Sequence, residues 1–343
     1  MQPLLELSLE SLRSWFIEHG LPNYRAGQVR KWLLQKRAAG FEQMTDLPVS
    51  LRELLAAEFQ IWTTRIADHR KSDDGTEKLL LELHDAERIE CVLLRDDKQH
   101  CTVCISSQVG CAMGCAFCAT GIDGVVRNLT SGEILEQILQ LQRLLPEHER
   151  LSHIVVMGMG EPLMNLDSVM PALATATSRD GLNIGSRRVT ISTVGIPAGI
   201  QRLAQENCQY HLAVSLHAAN DVLRNEIVPA NRGFGVAAVM AAAEEYFERT
   251  GRRVTFEYVL LAGVNDQKEH AQQLVALMRG RPALVNLIPY NPVPGLPFRT
   301  PSANQTAQFV DFLTQNGINV NIRYRKGDRI NAACGQLRRA RKS

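Results

Sequence analysis

The 343-residue sequence has almost no net charge: 38 Lys and Arg against 36 Asp and Glu leave +2. No overall field draws such a chain to nucleic acid or a membrane surface, so any basic surface has to be local. It also lacks any apolar run near the roughly 18 residues of a membrane span. The opening MQPLLELSLESL has two Glu and no basic n-region, so no secretory signal is expected. There is no short-period repeat or low-complexity stretch, and 45% hydrophobic with 22% charged residues excludes disorder and collagen. The expectation is a cytoplasmic globular chain without membrane contact, sized for one large domain with an appendage.

What is abundant is cysteine. Of eight, six (Cys91, Cys101, Cys104, Cys111, Cys115 and Cys118) fall between positions 91 and 118. In a reducing compartment such a cluster points to metal or redox chemistry rather than a disulfide framework.

The first sixty residues have helical periodicity: Leu9, Leu12, Trp15 and Phe16 follow a Ser8 cap, and Val29, Trp32 and Leu33 repeat the pattern. The second segment carries Arg25, Arg30, Lys31, Lys36 and Arg37 without an acid, which reads either as an RNA-facing helix or as a solvated face over a core stripe. Strand patterns separated by polar turns follow in TRIADHR, KLLLEL and RIECVLL, predicting a small antiparallel sheet. From Cys101, strand-like and helix-length runs alternate through six β–α units to a last strand, INVNIR, predicting a parallel α/β sheet. The expected divisions are a helical accessory domain (1–62), a β extension (63–98), an α/β core (99–326) and a basic tail (327–343). That tail is part of a stretch from Val320 with eight Lys and Arg and one acid, Asp328. In parallel α/β folds the loops after the strand C-termini carry the chemistry, and here those loops hold a cysteine triplet, GMGEP, the end of RVTIST, SLH and PYNP.

The triplet, Cys111-x3-Cys115-x2-Cys118, offers three thiolates from one loop, with Phe117 as an apolar wall. Three protein ligands on a [4Fe–4S] cluster leave one iron open to a small molecule. Tetrahedral zinc, with Cys104 as fourth ligand, is the competing use of the same residues.

CISSQVGCAMGCAFCATG, RNLTSGEI, MGMGEPLMN, VTISTVG, SLHAAND, EYVLLAGVND, NLIPYNP and AACGQLR, in that order, resemble the RlmN/Cfr adenosine methyltransferases of the radical S-adenosylmethionine superfamily. GLPNYRAGQVRKWL resembles that family's accessory domain. The resemblance implies a partial (β/α)6 radical-SAM barrel, a [4Fe–4S] cluster on Cys111, Cys115 and Cys118, and S-adenosylmethionine consumed twice per methylation. It implies that Cys334 carries a methyl group on sulfur, that Cys104 resolves the protein–RNA adduct through a transient disulfide, and that Glu90 is the base. Gly160, Glu161, Ser192, Ser215, Leu216, His217 and Asn291 are implied contacts of S-adenosylmethionine, and Arg127 with Asn128 support for the cluster loop or the cofactor. The implied substrate is an adenosine of 23S rRNA and one in the tRNA anticodon arm, methylated at C2, or at C8 as in the Cfr branch; a flavodoxin- or ferredoxin-like protein would supply electrons to a monomer.

By their chemistry alone, GMGEP would bring backbone close to a ligand and set Glu161 where a carboxylate can meet an ammonium. Glu90 reads equally as an exposed strand carboxylate, with Glu82 and Glu87 nearby. Cys208 reads as a buried core cysteine and Cys91 and Cys101 as structural or incidental, the alternative for Cys101 being competition with Cys104 as the resolving thiol. The reading from another class is a zinc-stabilised RNA-binding protein without catalysis.

Overall fold

A computed structural model of the chain describes residues 1–96, 100–206, 208–323, 327 and 330–338. Six of the tail's basic residues, Arg325, Lys326, Arg329, Arg339, Arg341 and Lys342, lie outside the described residues. Among those described, no helix is long and apolar enough to cross a membrane.

The N-terminal part consists of β1 (Gln2–Pro3), α1 (Leu9–Glu18), α2 (Arg25–Leu34), α3 (Val49–Glu58) and β2 (Phe59–Gln60), with β1 and β2 pairing in parallel. The Ser8 side chain accepts from the Ser11 amide, capping α1, and Leu12 and Phe16 bury its inner face. Each such side chain contributes roughly 1.5–3 kcal/mol by leaving water.

Strands β3 (Arg65–Lys71), β4 (Glu77–Glu82) and β5 (Arg88–Arg95) form the antiparallel array expected from the sequence. They are not a separate sheet. β5 pairs antiparallel with β6 (Cys101–Cys104), the first strand of the parallel array, so ten strands form one sheet in the order β14-β13-β12-β11-β10-β9-β6-β5-β4-β3. A hairpin of β7 (Gln108–Gly110) and β8 (Val125–Asn128) then leads into α4 (Ser131–Arg143). The rest alternates: β9 (Leu151–Val156), α5 (Leu166–Thr177), β10 (Val189–Thr193), α6 (Pro197–Gln205), β11 (His211–Ser215), α7 (Asp221–Ile227), α8 (Gly235–Thr250), β12 (Thr255–Leu260), α9 (Lys268–Met278), β13 (Leu284–Pro289), α10 (Ala303–Gln315) and β14 (Val320–Ile322). This is a partial (β/α)6 barrel. Hydrophobic period set the β–α alternation, and α3 falls within the sixty residues read as helical; the β7–β8 hairpin and α7 were not anticipated, since a three-residue strand or a seven-residue helix leaves little periodic signal.

Helix α4 is buried from Gly132 to Gln142 although it contains Glu133, Glu136, Gln137, Gln140 and Gln142. Its polar groups are docking groups. Glu136 Oε1 accepts from the Thr63 amide and hydroxyl and Oε2 from those of Thr64, four bonds of 2.6–2.9 Å, while Gln142 Nε2 donates to Leu34 O. From the other side, Arg37 donates to the carbonyls of Leu145, Pro146 and Glu149 beyond the helix end, and Arg30 donates to Thr175 on α5. The structure thus corrects the sequence reading of the basic segment: Arg30 and Arg37 fasten the accessory domain to the barrel, and of the five only Lys31 and Lys36 are fully exposed.

Candidate active site

The cysteine loop is closed at its base by backbone. Gly110 has φ +78, and a Cβ there would lie 2.0 Å from Gly124 O, so only glycine lets the hairpin strands approach this closely. The Cys111 amide donates to Gly124 O and the Cys118 amide to Cys115 O. Cys111, Cys115 and Cys118 all open onto one cavity at the C-terminal ends of the parallel strands, with Phe117 as its apolar wall. Burial pushes the Cys111 thiol up to about 12 and raises those of Cys115 and Cys118, and in Cys115 the neighbouring thiols add to the rise. Three adjacent thiols that resist ionisation one by one suit a cationic centre able to take all three as thiolates. Three thiols from one loop, all opening onto the same cavity, fit the three protein ligands of a [4Fe–4S] cluster.

The same cavity is lined by Gly160, Glu161, Ser192, Ser215, His217 and Asn291, all candidates from the sequence. Glu161 is 3% exposed; its oxygens accept from the amides of Leu163 (3.1 Å) and Val194 (2.8 Å), and burial pushes its carboxyl up to about 7. A ligand ammonium would favour the ionised form. Gly160 has φ +107, and a Cβ on it would lie 2.7 Å from Gln108 Cβ and N. One on Gly158 would lie 2.7 Å from Ile105 O. These glycines are needed where the loop packs against residues 105–108 of its own chain, and both also line the cavity.

His217 has φ +60 and is buried edge-on to the Phe117 ring, 4.8 Å between centroids. Its Nδ1 accepts from the Val259 amide, and burial lowers its pKa to about 3, so the ring is neutral with its proton on Nε2. Leu216 does not line the cavity. Its side chain is in the core, its amide donates to Glu257 O and its carbonyl accepts from Arg224, leaving it no evident contact with a ligand.

Cys334, remote in sequence, is brought to the triplet by backbone bonds. Asn291 Nδ2 donates to Cys334 O (3.0 Å), the Ala119 amide to Gly335 O (2.8 Å) and Thr120 Oγ1 to Leu337 O (2.6 Å). Asn291 Oδ1 is buried and unpartnered. Cys334 also lines a second cavity with Cys104, Met157 and Arg323. Burial and the nearby Cys334 push the Cys104 thiol up to about 12, opposed by the Arg323 guanidinium. Cys101 lies at the other end of β6 with its Sγ against Glu149 and lines neither cavity, which ends its competition with Cys104. Cys91 is fully buried, as a structural cysteine would be, and Cys208 is half-buried just beyond α6.

Glu90 is in neither of these cavities but in an adjoining one with Lys78, Asn331, Gln336 and Arg338. It is buried, not the exposed strand carboxylate of the alternative reading. Arg127 stands outside the site, paired to Asp85 and Glu133, and Asn128 accepts from Gln108 Nε2.

Three residues escaped sequence reasoning. Arg323, counted there as tail charge, faces both Cys104 and Cys334, and Glu257 on β12 lines the main cavity. Arg224 is entirely buried beneath the strand ends, with Nε donating to Leu216 O and Nη2 to Val194 O and Ser215 O. The one available signal was its position in the first helix after SLHAAND.

A sequence model of the Radical SAM superfamily matches residues 105–275, and one described as the Ribosomal RNA large subunit methyltransferase N-terminal domain matches residues 2–61. The probable dual-specificity RNA methyltransferase RlmN of Rhodopirellula baltica is 58% identical over 338 residues, covering 98% of this chain and 91% of the relative. Its counterpart in Symbiobacterium thermophilum is 46% identical over 339 residues with the same coverage, 98% and 91%. The crystal structure of a radical SAM methyltransferase from Sphaerobacter thermophilus matches with a TM-score of 0.95 at 44% identity, over 98% of this chain and 99% of that one.

Proposed function

The chain belongs to the RlmN family of radical S-adenosylmethionine RNA methyltransferases, and from that premise we propose that it methylates C2 of an adenosine in 23S rRNA and of one in the tRNA anticodon arm. The family's cofactors are a [4Fe–4S] cluster and S-adenosylmethionine. Bound together they supply an electron and an adenosyl radical, chemistry that an electron-poor ring carbon requires because it cannot attack a methyl sulfonium.

The chain's own residues divide the remaining work. Cys111, Cys115 and Cys118 would hold the cluster, and Glu161 the ligand's ammonium. Ser192, Ser215 and Asn291 would orient the ligand from the cavity wall, and Phe117 with neutral His217 would keep water out. Cys334 Sγ carries the methyl group as a thioether and, after hydrogen loss, bonds through that carbon to the base. Glu90 takes the proton from the reacting ring carbon. With that proton the adduct gives up its unpaired electron, which the oxidised cluster would accept; Cys104 thiolate then attacks Cys334 Sγ, forming an S–S bond as the S–C bond to the product breaks, and the departing carbon keeps the electron pair and takes up a proton to become the product's methyl group. Arg323, which interacts with both cysteines, favours the Cys104 thiolate. The base has to be presented unstacked, since the cavity is sunk at the barrel end.

The observation that carries this reading is the double placement of Cys334: the one residue lines both the triplet's cavity and that of Cys104, as suits a group that is loaded in one and released in the other. Nucleoside mass spectrometry of 23S rRNA and tRNA after incubation with protein, reductant and S-adenosylmethionine tests it. C2-methyladenosine in both RNAs is the expected product; C8-methyladenosine instead would reject the regiochemistry, and RNA methylation by Cys334→Ala would reject the carrier.

A further inference from the structure

Lys78 has no part in the chemistry assigned so far, yet it is one of the most deeply placed cations in the molecule, its side chain 7% exposed. Strand pairing explains why it meets Glu90. Leu80 is opposite Glu90 and Lys78 is opposite Val92, so Lys78 and Glu90 are diagonal neighbours on one face of β4 and β5, within reach of a long side chain. Nζ lies 2.7 Å from Glu90 Oε1 and donates to Asn331 O at 3.0 Å. Glu90 Oε2 accepts from the Arg338 amide at 2.9 Å. The pair therefore grips the chain at Asn331 and again at Arg338, with Cys334 between the two grips.

We propose that Lys78 is a positioning residue for the RNA half of the reaction: it orients the Glu90 carboxylate and fixes the separation between that carboxylate and Cys334. This rests on the roles given above to Glu90 and Cys334. Lys78 touches neither the main cavity nor that of Cys104. It therefore has no direct part in loading Cys334, which takes place in the main cavity, where Asn291, Ala119 and Thr120 hold residues 334–337 without it, and its effect begins only once a base is bonded to the carrier and a proton has to leave it. A lysine that served only to hold the fold would affect both halves alike.

The test uses full-length, cluster-reconstituted protein as Lys78→Met, Glu90→Gln and the double variant. Cys334 S-methylation is read by peptide mass spectrometry, RNA product by nucleoside mass spectrometry and the covalent protein–RNA adduct on a denaturing gel. For Lys78→Met we expect Cys334 methylation close to the parent's, product formation down about 100-fold, the lower end of what a positioned base contributes, and persistent adduct. Because Lys78 acts through Glu90, the double variant should be no slower than Glu90→Gln alone; it also leaves no unpaired buried charge, so it guards against simple misfolding. Parent-like product from Lys78→Met, equal losses in both halves, or losses that multiply in the double variant would each overturn the proposal. Parent-like product from Glu90→Gln would instead remove the base assignment, and the proposal with it.

Discussion

Replacing Arg224 by Met tests whether the buried guanidinium ties together the strand ends that build the cofactor cavity. Arg224 is 0% exposed and donates to three backbone carbonyls, Leu216 O at 2.9 Å, Val194 O at 2.6 Å and Ser215 O at 3.1 Å, and to Asn231 Oδ1. Methionine keeps the length of the side chain and removes all the donors. Leu216 O keeps the Ala218 amide, so three acceptors lose the partner that Arg224 gave them, which at about 2 kcal/mol each costs about 6 kcal/mol. Opposing this, burial has already lowered the guanidinium from 12.5 to about 10, an unfavourable contribution of about 3 kcal/mol that the substitution relieves. The net expectation is a loss of about 3 kcal/mol, read as the shift in the urea midpoint of cluster-free protein. Val194 follows Ser192 by two residues and Ser215 ends β11, so loosening their carbonyls should also weaken S-adenosylmethionine binding about tenfold, measured by calorimetry on reconstituted protein. Stability within about 1 kcal/mol of the parent, or a full loss of stability with unchanged affinity, would refute the idea that Arg224 sets the spacing of these strands.

Two further expectations concern pH and domain docking. His217 is held neutral with a pKa near 3, so between pH 3 and 6.5 the unfolded state binds more protons than the folded one. Its contribution is present above 6.5 and is lost as pH falls towards 3, on the order of 4–5 kcal/mol in full. His217→Asn should show a flatter acid limb in urea melts followed from pH 7 to pH 4, and an unchanged difference from the parent across that range would contradict the assignment. Arg37→Ala removes the bonds to Leu145, Pro146 and Glu149 at the end of α4 and should cost about 1–2 kcal/mol while leaving RNA affinity and its salt dependence unchanged. A shallower salt dependence without loss of stability would instead make Arg37 a phosphate contact.

Much of the barrel could be read in advance because apolar period 2 and period 3.6 alternate cleanly from Cys101 onward, each strand needing a buried row and each helix a stripe to cover it. The limits of such reading are equally physical. Helix α4 is polar on faces that are nevertheless buried, because Glu136 meets Thr63 and Thr64 and Gln142 meets Leu34, and nothing within α4 itself announces a distant partner. Arg30 and Arg37 look like solvated or RNA-facing charge for the same reason. Gly160 is recognisable as a special position, but the obstacle that requires glycine there, Gln108, lies some fifty residues earlier in the chain. Arg224 and Glu257 sit in ordinary helix and strand patterns that do not distinguish a surface charge from one facing a cavity.

By itself the sequence determined the order of elements, the three thiols of one loop and the motifs of the strand-end loops, since local spacing is a covalent property that folding cannot change. Only the tertiary structure decided which of these meet. It turned the antiparallel strands into an extension of the barrel sheet, set Cys334 between the triplet and Cys104, buried Glu90 beneath Lys78 and left Cys101 at the wrong end of its strand. Each outcome depends on contacts between residues far apart in the chain, and those contacts exist only once the hydrophobic faces have packed and the buried polar groups have found their partners.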